Sequence, residues 1–287
     1  MTDVLVLGGG GVAGVAWELG VLQGIADEDP QLASRVIGAD RIIGTSAGSS
    51  VAAQITSGMP LEILYAAQLA QEIEVIEVEF DAAAMIAGWT AAMQPTADGS
   101  APEPAEIRRR IGAMALAAPT TDEATRLKVH EAHLPSTEWP ATDLAITAVD
   151  AESGELVVFG RNSGVRLLDA ITASCAVPGF WPPATIGDRR YIDGGMRSVA
   201  NVDLAGGADH VLVVTPQRDG IPSLFGPSTA EQISDLAPAK AFMIGADDAS
   251  IEAFGVNPLS LTTRAPSAIA GRAVGRLKAA ILGAHWS

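Results

Sequence analysis

Two apolar runs near the start of the chain, Val4-Leu5-Val6-Leu7 and Arg41 to Gly44, each break into a glycine-containing turn and then into a helical pattern. After the first run, "LGGGGVAG" leads into Val12–Ala26, where Val15, Leu19, Leu22 and Ile25 recur at helical spacing. After the second, "TSAG" opens a helix that runs to about Thr56 and is ended by Gly58 and Pro60. Two strand–turn–helix units in succession restrict the chain to crossover connections. They predict an α/β fold with a mainly parallel central sheet flanked by helices.

The rest of the chain extends this plan. Residues 61–135 read as an alanine-rich, helical, cap-like region, interrupted by the loop "PTADGSAPEP" at Pro95–Pro104. Leu144–Val149 and Leu156–Phe159 form a hairpin pattern around "DAESG", and Leu167–Ala176 a short helix stopped by Pro178. "ATIGDRRYIDGG" is hairpin-like, Val211–Thr215 is a further strand, and residues 230–287 read as mostly helical beyond a loop near Pro216–Pro227. No repeat and no charged linker divides the 287 residues, so one domain over 1–287 is the simplest organisation.

Composition excludes several classes. With 48% hydrophobic residues the chain can bury a sizeable core. The uncharged stretch Ile42–Leu61 is too polar for a lipid span, and no basic region precedes the first apolar run as a signal peptide would require. A net charge of −16 opposes binding to nucleic acid and limits contact with an anionic membrane to the transient. A single cysteine, Cys175, forms no internal disulfide and fits a reducing cytoplasm. No Cys/His cluster has metal-ligand spacing, so no metal and no cofactor is expected.

Three segments carry chemistry. Gly9, Gly11 and Gly14 satisfy a dinucleotide-binding spacing, yet bare N–H groups at a helix start also suit an oxyanion. Gly44-x-Ser46-x-Gly48 has the pattern and the strand–turn–helix setting of a nucleophile elbow, which would hold Ser46 on a strained turn with its oxygen towards solvent. The same stretch is also compatible with an ordinary turn in which Ser46 is a helix cap. "RRYIDGG" places Asp193 at a strand end before Gly194 and Gly195, either as a turn aspartate or as a partly desolvated carboxylate. Between them, "ASCAVPGFWPP" reads as a rigid wall.

In this order the glycine loop, G-x-S-x-G, A-S-x-A-x-P (Ala173–Pro178) and D-G-G resemble the patatin-like phospholipase family over roughly residues 4–215. The resemblance implies a Ser–Asp dyad acting on lipid acyl esters, with Ser46 as nucleophile and Asp193 as its base. It implies an oxyanion hole from the N–H groups of Gly9, Gly10 and Gly11, with Gly44, Gly48, Gly194 and Gly195 as motif support. The glycines then hold a tetrahedral oxyanion rather than a pyrophosphate, in keeping with the second strand ending in Gly44-Thr45-Ser46 where a ribose-binding acid should stand.

Two departures from the family pattern stand out: Ala13 occupies the place of a usual Arg or Lys, and Trp17-Glu18 lie in a stretch that is often shorter and less acidic. Two rival readings remain. One is an α/β-hydrolase-type esterase with a Ser-Asp-His triad through His210; the other is a non-catalytic lipid- or nucleotide-binding module. His130 and His133 are expected at the surface and His285 in a frayed end. Met85, Ile86, Trp89 and Met93 form an apolar helical stripe that reads as core, and Cys175 reads as a small buried residue.

Overall fold

The computed structural model describes residues 1–70, 82–223 and 225–286. Its first units are β1 (Asp3–Leu7), α1 (Gly11–Glu28), α2 (Pro30–Ile37), β2 (Arg41–Thr45) and α3 (Ala47–Ile55). Helices α4 (Leu61–Leu69), α5 (Ala82–Ala92), α6 (Pro104–Ala117) and α7 (Glu123–His133) follow; the part of the expected cap at 71–81 lies outside the described residues. The chain then forms β3 (Asp143–Asp150), β4 (Leu156–Phe159), α8 (Leu167–Ser174), β5 (Ala184–Ile186), β6 (Arg189–Asp193) and β7 (His210–Thr215). It ends with α9 (Thr229–Ser234), β8 (Lys240–Gly245), α10 (Asp248–Phe254) and α11 (Arg264–His285).

The sheet has the order β5-β6-β3-β2-β1-β7-β8, and β4 pairs with β3 outside that path. The pairs linking β3, β2, β1, β7 and β8 are parallel, whereas β3–β4, β3–β6 and β5–β6 are antiparallel. Both faces of the central strands are covered. In β1, Leu5 and Leu7 enter one apolar cluster with α1 residues such as Trp17 and Leu22, while Val4 and Val6 enter another with Val202 and Ala205. That is why these strands read as continuous apolar runs rather than as alternation.

One feature of β3 sets up everything at the site. Its edge is shared in sequence: Thr147 pairs with Thr45 of β2, and the next residue, Ala148, pairs with Asp193 of β6. Strand β4 holds the opposite edge of β3 over Ile146–Val149. The end of β2 and the end of β6 therefore meet at one level.

The fold departs from the sequence expectations at four points. Residues 230–287 are mostly helical, as read, but "KAFMIG" within them forms β8, an edge strand parallel to β7. Helix α2 was not foreseen, although Asp29 caps it through the N–H groups of Gln31 and Leu32 and Pro30 stands in its first turn. The C-terminus does not fray at His285: the helix reaches it, its ring lies 5.0 Å from that of Phe242, and Trp286 beyond is buried. Trp89 of α5 and Met93 just beyond it pack on the core as expected, but Ile86 is 60% exposed and leaves the stripe.

Candidate active site

Strand β2 stops at Thr45 because the chain turns at Ser46 into φ 51° and ψ −117°, a left-handed conformation that a side chain adopts at a cost of about 1–3 kcal/mol. Several bonds hold it there. The Ser46 N–H donates to Ser174 Oγ at 2.8 Å, and the Ser46 carbonyl accepts from Ser49 N at 2.9 Å and Ser49 Oγ at 2.6 Å. The Gly48 N–H donates to the Gly8 carbonyl at 2.9 Å, tying the elbow to the first glycine loop. The flanking glycines are needed for space: a Cβ on Gly48 would lie 2.2 Å from the Leu7 carbonyl oxygen, and one on Gly44 2.6 Å from Ser49 Cα.

Asp193 arrives from β6. Its Oδ2 accepts from Ser46 Oγ at 2.6 Å, and its Oδ1 accepts from the Gly195 N–H at 2.7 Å. A Cβ on Gly194 would lie 2.4 Å from Thr147 Oγ1, so this turn closes directly on β3. Both partners are buried, Ser46 at 7% and Asp193 at 3% exposure. The serine oxygen faces the carboxylate rather than open solvent, which corrects the expected orientation. Burial pushes the Asp193 carboxyl up to about 6, against the hydrogen bonds from Ser46 and Gly195 and the charge of Arg126, which favour the ionised form.

The glycine loop stands beside this pair, since a Cβ on Gly9 would lie 3.4 Å from Ser46 Cβ. Its donors are not all free. The Gly9 N–H, one of the three expected oxyanion donors, is already given to the Val199 carbonyl at 2.7 Å, whereas the N–H groups of Gly10 and Gly11 have no partner among the described residues. Gly11 needs its freedom at φ +64°, and a Cβ on Gly10 would meet Pro216 Cγ at 2.2 Å. Where the family's usual cation is missing, the Ala13 N–H donates to the Pro258 carbonyl at 2.9 Å.

Residues with no role at the site assigned from the sequence brace it. Glu18, fully buried, accepts from the Gly8 N–H at 2.8 Å, and burial pushes its carboxyl well up. Asn201, at φ 49°, donates to Ser198 O at 2.8 Å and to Thr45 Oγ1 at 3.1 Å, linking the end of β2 to the chain after Asp193. Arg126 of α7 is buried close by, with its guanidinium 3.8 Å over the Trp181 ring. Nothing in the polar run "EATRLKVHEAH" marks Arg126 as buried; the A-S-x-A-x-P block did mark Ser174.

The histidines lie elsewhere. His210 begins β7 and bonds to Asp3 Oδ1 at 3.0 Å. By the parallel register it sits about six residues, roughly 20 Å, below the level of Ser46, so no triad passes through it. His130 is buried, contrary to expectation, and burial with the neighbouring Arg126 pushes its imidazole well down, into the neutral form. Among the described residues no group of three or more His, Cys, Asp or Glu could hold a metal ion, and no helix is long and apolar enough to cross a membrane.

Comparison with known proteins finds a match to the patatin-like phospholipase family over residues 5–205. No curated protein matches. Among solved structures the chain is similar to VipD from Legionella pneumophila, with 13% identity and a TM-score of 0.46 over 99% of this chain and 67% of that one. It is also similar to the type III effector protein ExoU, with 18% identity and a TM-score of 0.38 over 97% of this chain and 53% of that one. Full-length ExoU in complex with SpcU, from the type III secretion system of Pseudomonas aeruginosa, gives 17% and 0.35 over the same shares. The chain thus spans about half the length of ExoU.

Proposed function

The chain belongs to the patatin-like phospholipase family, and from that premise we propose that it is a serine acyl hydrolase cleaving carboxylic ester bonds of lipids through Ser46 and Asp193. One observation carries the reading: a buried carboxylate 2.6 Å from the hydroxyl of a serine held at positive φ, with no histidine between them. Asp193 takes the Ser46 proton as Oγ attacks the ester carbonyl, and the new oxyanion is received by the Gly10 and Gly11 N–H groups. Such a donor is typically worth about 3 kcal/mol. Protonated Asp193 then returns its proton to the leaving alcohol. In the second half, Asp193 draws a proton from water as the water oxygen attacks the acyl-Ser46 carbonyl, and returns it to Ser46 Oγ as the C–O bond breaks and the acid leaves. Side chains, backbone and water suffice for each step, and the single buried thiol is in keeping with a cytoplasmic setting. Helices α4 to α7 serve in this reading as a cap on one acyl-hydrolase domain.

A fluorophosphonate probe tests the nucleophile. It should label Ser46 in the wild type and lose that label in Ser46→Ala, while Ala at His130, His133, His210 or His285 leaves ester hydrolysis within a few-fold. No labelling of the wild type would return the protein to a binding module, and equal labelling of wild type and Ser46→Ala would sink Ser46 as the nucleophile; a folded histidine variant as inactive as Ser46→Ala would overturn the dyad.

A further inference from the structure

Arg126 is 8% exposed, yet no carboxylate forms an ion pair with its guanidinium among the described residues. Nη2 reaches the Cys175 carbonyl at a long 3.5 Å, the ring of Trp181 lies beneath at 3.8 Å, and Nε is buried with no partner among the described residues. What it approaches is fixed by three consecutive residues. Ser174 Oγ accepts from the Ser46 N–H at 2.8 Å, the Cys175 carbonyl accepts from Arg126, and the Ala176 carbonyl accepts from the Asp193 N–H at 3.0 Å. One short segment, followed by Pro178, therefore bonds to nucleophile, cation and carboxylate at three consecutive residues.

We propose that Arg126 is a positioning residue for the dyad: held on the Cys175 carbonyl and the Trp181 ring, its guanidinium supplies the counter-charge that keeps Asp193 a carboxylate. The proposal rests on reading Asp193 as the base.

The other charged groups on the surrounding elements are engaged or turned away. On α7, Glu123 pairs with Arg190 at 3.3 Å and bonds Thr185, while Lys128, Glu131 and His133 lie on the exposed side. His130, one turn from Arg126, is driven neutral by burial and by Arg126 itself. On α8, Asp169 pairs with Arg166 at 2.6 Å, and beside β6 Arg189 pairs with Asp150 at 2.9 Å. Helix α3 carries no charge, and burial pushes the Cys175 thiol up, further into its neutral form. Asp193 and Arg126 remain to compensate each other. Arg126 opposes the upward push of burial on Asp193, and Asp193 opposes the downward push on Arg126.

The test is a carbon-13 NMR titration of the Asp193 carboxyl in the whole chain, assigned with Asp193→Asn, alongside the pH profile of ester hydrolysis. Arg126→Met should move the Asp193 midpoint up from about 6 by about one pH unit. The acid limb of kcat should move with it, so that the loss of rate is concentrated at low pH; Arg126→Lys should restore both. Arg126→Gln, which can still bond the Cys175 carbonyl, replaces Met if that variant does not fold. An unmoved midpoint in a folded neutral variant overturns the proposal, as does Lys shifting it as far as Met. So does a loss confined to KM for esters with an anionic head, which would make Arg126 a substrate-binding arm. If the wild-type midpoint responds as expected but no ester is cleaved, the dyad reading fails and the electrostatic one stands.

Discussion

At the residue scale, Asp193 holds a function that works against the fold. Its folded carboxyl titrates near 6 against an ordinary value of 3.8, so folding shifts the balance towards the neutral form relative to the unfolded chain. A group raised in this way gives its full stability below the unfolded value and loses it as pH rises through the folded one. At pH 8 the ionised Asp193 therefore costs on the order of 3 kcal/mol, the equivalent of about two pH units. Asp193→Asn keeps an oxygen for the Gly195 N–H and an amide for Ser46 Oγ. It should remove most turnover because an amide cannot take the proton, and yet melt above the wild type at pH 8. The difference in Tm should shrink as pH falls through 6 and vanish below about 4. In the wild type, kcat/KM should rise through a midpoint near pH 6. An Asn variant that melts lower at pH 8 would show that the carboxylate is better compensated than its burial implies.

At the scale of elements, the glycine loop is positioned by a contact far from it in sequence. Helix α1, which begins at Gly11, lies against α11 through Gly20 and Gly24 on one side and Gly271 and Gly275 on the other. A Cβ on any of the four would come within 2.1–2.3 Å of a carbonyl oxygen of the facing helix. Arg272 and Arg276 of α11 then close the pair on Asp27 at 2.6 and 2.7 Å. In an open helix, Gly to Ala adds about 1 kcal/mol. Here Gly275→Ala puts a methyl 2.1 Å from the Val21 carbonyl oxygen, and separating the helices should cost about 1–3 kcal/mol instead. Urea unfolding should show a lower midpoint at an unchanged slope; a raised midpoint would mean that the helices part without strain.

At the scale of the whole molecule, 34 acidic against 18 basic residues leave −16, and the arginines that could have offset this locally are occupied. In the run Arg108-Arg109-Arg110, the second and third pair with Glu106 at 2.7 and 2.8 Å. Arg108 donates to the carbonyls of Gly154 and Phe225. With no basic patch at that run, lipid in zwitterionic micelles should be hydrolysed faster than lipid in anionic vesicles at low salt. The gap should narrow towards physiological ionic strength, where fields decay over about 8 Å. Faster turnover on anionic vesicles at low salt would refute this.

How much of this was legible depends on how far each constraint reaches along the chain. Gly44, Ser46 and Gly48, or Asp193 with Gly194 and Gly195, are local: a turn within a few residues forces small side chains, and that shows in the sequence. The same holds for the paired strands and helices around them, and for Ser174 in its motif. The sequence could also name Ser46 and Asp193 as partners by motif order. Their meeting across 147 residues was decided only by tertiary structure, through the register in which Thr45 and Asp193 occupy successive places on β3. Other outcomes were set by distant groups that no local pattern shows. Gly9 loses its donor to Val199, His130 is buried, and β8 forms because β7 offers it an edge. Arg126, in a helix that reads as polar, is drawn onto the Trp181 ring beside the dyad. Backbone strain is a property of neighbours in sequence, whereas a buried polar group answers to whatever the fold packs against it.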